Sequence, residues 1–385
     1  MKRLGLLPLI LLAIALGVLL GHVLPLPWVR LFATFNGVFS QFLGFMIPLI
    51  IVGLVTPAIA DIGNKAGKLL LVTVAIAYAD TIVAGLLAYG TGELLFPGMV
   101  EATKGLLAAE EPTEIAPYFN LQIPPMLDVM AALVLSFITG LGVAYSTGNV
   151  LRRGFDEFRT IISQTISKAI IPLLPLYIFG IFLQMTFTGQ AYRLLAVFAG
   201  IIGIIFALHL FILLYTFAAA GALRRKNPLQ LIWQMMPAYF TALGTASSAA
   251  TIPVTLRQVQ KNGVSHGVSG FVVPLCATIH MPGSAMKITA CALTVCLLNG
   301  LPHGFALFLH FILLLGVCMV AGPGVPGGAV MAALAPLSSV LGFGADAQAL
   351  IIALYIAMDS FGTACNVTAD GALALVVDKY FKSEK

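Results

Sequence analysis

Charge is scarce in this sequence of 385 residues: Asp, Glu, Lys and Arg together make up 9%, where ordinary soluble domains carry about a quarter. A chain so poor in charge has little with which to clothe a water-facing surface. That excludes a disordered protein, and with it a nucleic-acid partner. Cysteine is sparse as well. The five thiols (Cys276, Cys291, Cys296, Cys318 and Cys365) fall in apolar or small-residue segments with no C-x-x-C pair. Neither a disulfide scaffold nor a structural zinc site is therefore expected. A G-x-G-D loop of the kind an intramembrane aspartyl protease uses is also missing. What the chain has is apolar bulk: 60% hydrophobic residues and a mean hydropathy of +1.03. Such arithmetic describes a polytopic membrane protein.

Apolar stretches lie at about 4–22, 36–60, 69–95, 126–149, 161–188 and 194–222, with a last one at about 346–377. A helix needs about 20 apolar residues to cross a bilayer. Lys2 and Arg3 ahead of the Leu4–Leu20 run look like the start of a signal peptide. The run is long enough to span, however, and no small-residue cleavage site precedes the Pro25–Pro27 turn, so a retained first helix is expected. Two regions, about 228–258 and 303–344, do not read as clean spans. The first is interrupted by the small residues Gly244 to Ala250 and the second by Ala321 to Gly328. Irregular backbone of that kind is tolerated at membrane depth only where protein or a water-filled cavity satisfies it. Two re-entrant hairpins fit better than two spans.

The charges agree with that count. With a cytoplasmic N-terminus and both hairpins returning to their own side, 16 of the 20 basic residues fall inside, among them Arg152, Arg153, Arg224, Arg225 and Lys226. The outer loop around 93–128 is acidic, with Glu93, Glu101, Glu110, Glu111, Glu114 and Asp128. This satisfies the positive-inside rule, and the formal net charge of +5 needs no anionic partner.

Ionisable residues inside a span cost about 2.5–3.5 kcal/mol each even on lenient insertion scales, so each one calls for a partner or a function. The candidates are Asp80, His280, Lys287, Asp359 and Asp370. In the last helix Asp359, Thr363, Asn366 and Asp370 are spaced 4, 3 and 4, which puts them on one helical face. Gly362 lies beside them. Two carboxylates and an amide on one stripe offer oxygen ligands to a hard cation and to an ammonium group; the plainer alternative is a stripe that glues helices together. The two acids are about 16 Å apart along the helix, too far to share a proton. A second interruption, Thr278 to Ser284, contains Pro282 and Gly283. It is either a structural kink or a break whose freed carbonyls coordinate a cation.

At these residues the sequence resembles the glutamate-transporter family, the dicarboxylate/amino acid:cation symporters, and within it the bacterial serine/threonine sodium symporters. The likeness rests on Ala246 to Thr255 as a serine-rich hairpin tip and on His280 to Ser284 where the family has Asn-Met-Asp-Gly-Thr. It also rests on Gly324 to Gly327 as the second tip, and on the run from Asp359 through Gly362, Thr363 and Asn366 to Asp370. The resemblance implies an all-α membrane protein of eight transmembrane helices plus two re-entrant helical hairpins, at about 228–258 and 303–344. It further implies a homotrimer working as an elevator. Scaffold elements would be about 1–68 and 126–190, and transport elements about 69–95 and 194–378. Ser248 and Asn366 would hold a substrate α-carboxylate and Asp359 its ammonium. Ser247, Ser284 and Thr363 would complete the pocket, and the Val325 backbone would close the outer gate. Asp370, with carbonyls of Cys276, His280 and Asn366, would form one sodium site. Backbone around Thr278 and the second hairpin would form another. One or two sodium ions and no organic cofactor are implied; the short loops without glycosylation-rich insertions make a prokaryotic inner membrane the expected location.

The departures from the family pattern are informative. Family members that carry acidic amino acids have an arginine at the position of Gly362, gripping the side-chain carboxylate; glycine cannot do this. Asp359 nevertheless persists, which favours a small neutral amino acid, the alternative being an acidic amino acid or a dicarboxylate with proton coupling. Gly362 leaves space for a larger neutral or sulfur-containing substrate, and Gly362→Arg is expected to gain acidic-substrate uptake. His280 and Pro282 replace the Asn and Asp of a third sodium site, whose other ligands Tyr78 and Thr81 would match, so that ion is expected to be missing. Lys287, seven residues after His280, is expected to face Asp80 as a candidate coupling pair that stands in for it, with a salt bridge of purely structural role as the alternative. His280 itself reads either as a neutral hydrogen-bonded histidine or as a proton carrier. The sequence therefore points to a sodium-coupled secondary transporter and not to an enzyme.

Overall fold

The computed structural model describes residues 6–64, 68–104, 115–189, 191–320 and 327–381. Val325 and the rest of the second hairpin's tip, 321–326, lie outside the described residues, as do Glu110, Glu111 and Glu114. Among the described residues all regular structure is helical: α1 (Leu6–Gly21), α2 (Leu26–Asn64), α3 (Lys68–Lys104), α4 (Val129–Tyr145), α5 (Val150–Thr165), α6 (Ile171–Phe187), α7 (Ala191–Arg224), α8 (Pro228–Thr245), α9 (Ser248–Lys261), α10 (His266–Ile279), α11 (Pro282–Asn299), α12 (Phe305–Val320), α13 (Gly328–Ser339), α14 (Ala345–Ala357) and α15 (Asp359–Phe381). A π-turn over Ile166–Ile170 joins α5 to α6, giving one continuous rod from Val150 to Phe187. Among the described residues six helical stretches are long and apolar enough to cross a membrane: Leu26–Pro57, Lys68–Ala102, Val150–Phe187, Val197–Arg224, His266–Asn299 and Asp359–Phe381. Shorter apolar helices, α12 and α13 among them, complete the set. The first apolar run forms α1, whose Gly17 and Gly21 let it lie directly against the α6 residues Phe182 and Thr186.

The surface is apolar where a soluble protein's would be polar, with Leu94, Tyr145, Leu210 and Trp233 all well exposed. A lipid solvent removes the penalty for such exposure and transfers it to polar groups, which are drawn inward. Accordingly the most enclosed elements are those with the polar residues. Every side chain of α11 from Pro282 to Cys296 is buried, and α15 is surrounded by α7, α8, α9, α10 and α11.

Four chain breaks position the site. At the first, α8 and α9 pack against each other across a turn of only two residues, Ala246 and Ser247. Ala246 takes left-handed backbone (φ 48°) to end α8, and the Ser247 side chain accepts from the Ala250 N–H to start α9. The serine-rich segment thus supplies helix caps, which favour these residue types. The second break separates α10 from α11 at His280 and Met281, with Pro282 at the head of α11, where its missing N–H costs nothing. The third joins α12 to α13, whose N-cap Gly327 has φ 74°, a conformation that suits glycine. The fourth lies at Met358: the last apolar stretch, expected as one helix over about 346–377, is two helices, α14 and α15.

Candidate functional site

The face of α15 expected from spacing is fully enclosed. Asp359, Thr363, Asn366 and Asp370 are all buried, and α11 lies alongside. Asn366 welds the two helices. Its Oδ1 accepts from the Gly283 N–H at 2.8 Å, and its Nδ2 donates to Ser284 Oγ at 3.0 Å, which in turn meets Tyr355 Oη at 2.9 Å. Gly283 is confined, because a Cβ there would press on Cys365 and the Gly362 carbonyl. Its own carbonyl is 3.2 Å from His209 Nε2. His209 and Tyr355 are two residues of this network that sequence reasoning missed. Each sits in an otherwise apolar helix, with no motif around it.

Asp359 lies at the head of α15. Its Oδ2 accepts from the Gly327 N–H at 2.8 Å, tying the start of α13 to the site. Its Oδ1 faces Lys287 Nζ at 3.8 Å, a loose ion pair. Lys287 has no exposed surface at all. Its ammonium also donates to the Met358 carbonyl at 3.2 Å and sits 3.9 Å from the centre of the Tyr355 ring, an arrangement that an aromatic face favours. The lysine stem runs over Gly362, where any Cβ would collide with Lys287 Nζ and Cε.

This arrangement corrects two expectations. Lys287 does not pair with Asp80. His280 lies outside α11 in extended backbone, so helical phase does not carry across the break from residue 280 to residue 287, and the lysine turns towards Asp359. The space beside Gly362 is not free either, because the lysine fills it, and Gly362→Arg alone would meet a steric and electrostatic clash.

Asp80 belongs to a second cluster. His280 Nδ1 is 2.8 Å from Asp370 Oδ1, and His280 Nε2 is 2.9 Å from Asp80 Oδ2. The Tyr215 hydroxyl donates to Asp80 Oδ1. A neutral imidazole has a single N–H. With a carboxylate on each ring nitrogen, the two hydrogen bonds require one proton more than neutral histidine and two carboxylates hold. The Asp370 carboxylate is therefore already engaged by His280. Cys276 is buried, and its carbonyl accepts the His280 N–H. Thr278 bonds the Leu275 carbonyl through its own hydroxyl. Tyr78 donates to the Leu313 carbonyl and Thr81 to the Ala77 carbonyl, so both hydroxyls are satisfied within the helices. Among the described residues no group of three or more His, Cys, Asp or Glu side chains has the geometry of a metal centre. Of the remaining candidates, Ser248 is buried at the start of α9, which packs on α15, while Ser247 is engaged in capping.

Comparisons with known proteins bear on this arrangement. The family model described as the sodium:dicarboxylate symporter family matches residues 6–380. The serine/threonine transporter SstT of Acinetobacter baylyi is 25% identical over 99% of this chain and 98% of its own length. The neutral amino acid transporter B(0) of Mus musculus is 32% identical over 42% of this chain and 29% of its own. Excitatory amino acid transporter 3 of the same organism is 35% identical over 42% and 31% respectively.

Proposed function

The chain belongs to the sodium:dicarboxylate symporter family, a family of multi-pass membrane transporters and not of enzymes, and from that premise we propose that it takes up a small neutral amino acid together with sodium. In this reading α8–α9 and α12–α13 are re-entrant hairpins and eight further segments span the bilayer with the N-terminus inside. The protein works as a homotrimer whose transport elements move against a fixed scaffold. Asp359 receives the substrate ammonium. Asn366, with Ser248, Ser284 and Thr363 around it, receives the carboxylate.

Charge balance at Asp359 carries the neutral-substrate reading. The buried carboxylate has one buried cation beside it, Lys287, and Gly362 supplies no guanidinium. A zwitterionic substrate adds no net charge to that pair. A second carboxylate on the substrate would leave the buried site with one net negative charge, at the desolvation cost that a buried charge incurs. The full-length likeness to a serine/threonine transporter supports the same class. Uptake of labelled L-serine into proteoliposomes, with alanine, threonine, aspartate and succinate as competitors, tests it. Inhibition by the neutral amino acids alone is expected, and inhibition by aspartate or succinate alone would refute it.

A second reading of the coupling ion rests on the Asp80–His280–Asp370 chain. The proton that its hydrogen bonds require would be the cation that moves, in place of sodium at Asp370. Sodium and proton gradients imposed separately discriminate the two: sodium alone drives uptake in the first reading, and a proton gradient alone drives it in the second.

A further inference from the structure

A carrier that moves one way must return empty, and an empty pocket with a bare carboxylate is costly to carry through a membrane. Asp359 is such a carboxylate: buried, deep in an apolar bundle, and on the proposed reading partnered by the substrate's ammonium. The fold itself places a cation beside it. Lys287 reaches from α11 into the notch above Gly362, held by the Met358 carbonyl, which also accepts the Gly362 N–H, and by the Tyr355 ring. Its Nζ is 3.8 Å from Asp359 Oδ1, while Oδ2 is taken by the Gly327 N–H. An ammonium at that distance compensates the charge of the carboxylate.

We propose that Lys287 is the resident counter-cation of Asp359, a tethered ammonium that takes the place of the substrate's own when the pocket is empty and so allows the unloaded carrier to return. Lys287 is a positioning residue in this scheme: it acts through Asp359 and is not required by the loaded state, in which the substrate ammonium supplies the charge. Gly362 is glycine because the lysine stem passes over it. The proposal rests on the assignment of the substrate ammonium to Asp359.

The test separates two modes of transport in proteoliposomes. Exchange of labelled for unlabelled L-serine uses only the loaded carrier, whereas net uptake into substrate-free vesicles also needs the empty return. Lys287→Met is expected to lower net uptake at least tenfold and exchange less than threefold. An equal loss in both modes, or none in either, overturns the proposal. Lys287→Gln, which keeps the stem length and a polar head, serves the same comparison if the methionine variant does not assemble. A thermal-stability cycle on substrate-free protein in detergent gives a second readout that does not depend on which substrate is carried. Lys287→Met should lower the melting temperature, and Lys287→Met/Asp359→Asn should recover most of the loss, since removing both charges leaves neither uncompensated. A double variant no more stable than Lys287→Met contradicts the pairing. If the wild type exchanges no neutral amino acid, the substrate assignment fails, and the stability cycle still decides the pair.

Discussion

Gly362 and Asn366 are four residues apart on α15, and the two show how differently single positions weigh on the site. At Gly362 the absent side chain matters: a Cβ would meet the end of Lys287. Gly362→Ala is expected to destabilise the protein by about 1–3 kcal/mol, the usual range for overpacking, whereas Lys287→Ala/Gly362→Ala should be little less stable than Lys287→Ala alone, read as melting temperatures of the three variants. Asn366 matters for what it holds. Asn366→Ala removes the acceptor of the Gly283 N–H and the donor to Ser284, leaving buried groups unpaired at about 1–3 kcal/mol. Serine uptake should fall by more than tenfold at equal surface expression. The stripe from Asp359 to Asp370 was legible in the sequence because both acids lie within one unbroken helix, where spacing alone assigns a face. The partner of Lys287 was not, because the chain leaves helical geometry at His280 and Met281 before α11 begins. Tyr355 was hidden for another reason: it lies across the break at Met358, on a helix of nearly uniform apolarity that has no polar face to mark it.

At the scale of the element, the breaks ahead of α11 and α13 do what no continuous helix could, because each leaves a helix-start N–H in the interior, and the Gly283 N–H and the Gly327 N–H both find side-chain partners in the site; ahead of α15 the Met358 carbonyl takes Lys287 as a second donor beside the Gly362 N–H. The small-residue tract from Gly244 to Ala250 announced the α8–α9 turn, and Pro282 with Gly283 announced the α10–α11 break. The α14–α15 break has neither proline nor glycine at its point, Met358, and read as uninterrupted. The α8–α9 turn depends on its caps. Ser247→Ala removes the side-chain acceptor at the start of α9 and should cost about 1 kcal/mol, seen as a lower melting temperature. A firmer joint closes the far end of α15, where buried Asp378 accepts from the Ser265 hydroxyl at 2.6 Å and from its N–H at 3.0 Å, and pairs with Arg224 at 2.8 Å. Asp378→Ala breaks the tie between α7, α10 and α15 and leaves Arg224 without its carboxylate. A loss of about 3 kcal/mol is expected, the low end for removing one partner of a buried pair.

For the whole molecule, hydropathy and charge placement made the class plain before any coordinates, since lipid exposure and polar enclosure are averages over many residues and survive local errors. Helix boundaries were less legible, α2 running over Leu26–Asn64 where the apolar stretch reads as about 36–60, because Arg30 and Asn36 interrupt the apolar run near its start and Asp61 and Asn64 near its end. The proposed topology has a direct check. Gln122→Cys and Lys261→Cys place thiols at exposed positions, while the five native cysteines are all buried. A membrane-impermeant maleimide added to intact cells should label the first and not the second; labelling of both would mean that one hairpin crosses the membrane. Lys287 and Gly362, finally, are 75 positions apart in the chain yet share one volume, and that constrains how such a sequence can change over generations. Enlarging the glycine first is met by a collision, and losing the lysine first strands a carboxylate, so each single step is penalised, and a paired step escapes only if residue 362 then supplies the cation that the lysine gave. Descendants of this chain should therefore keep both residues or exchange both.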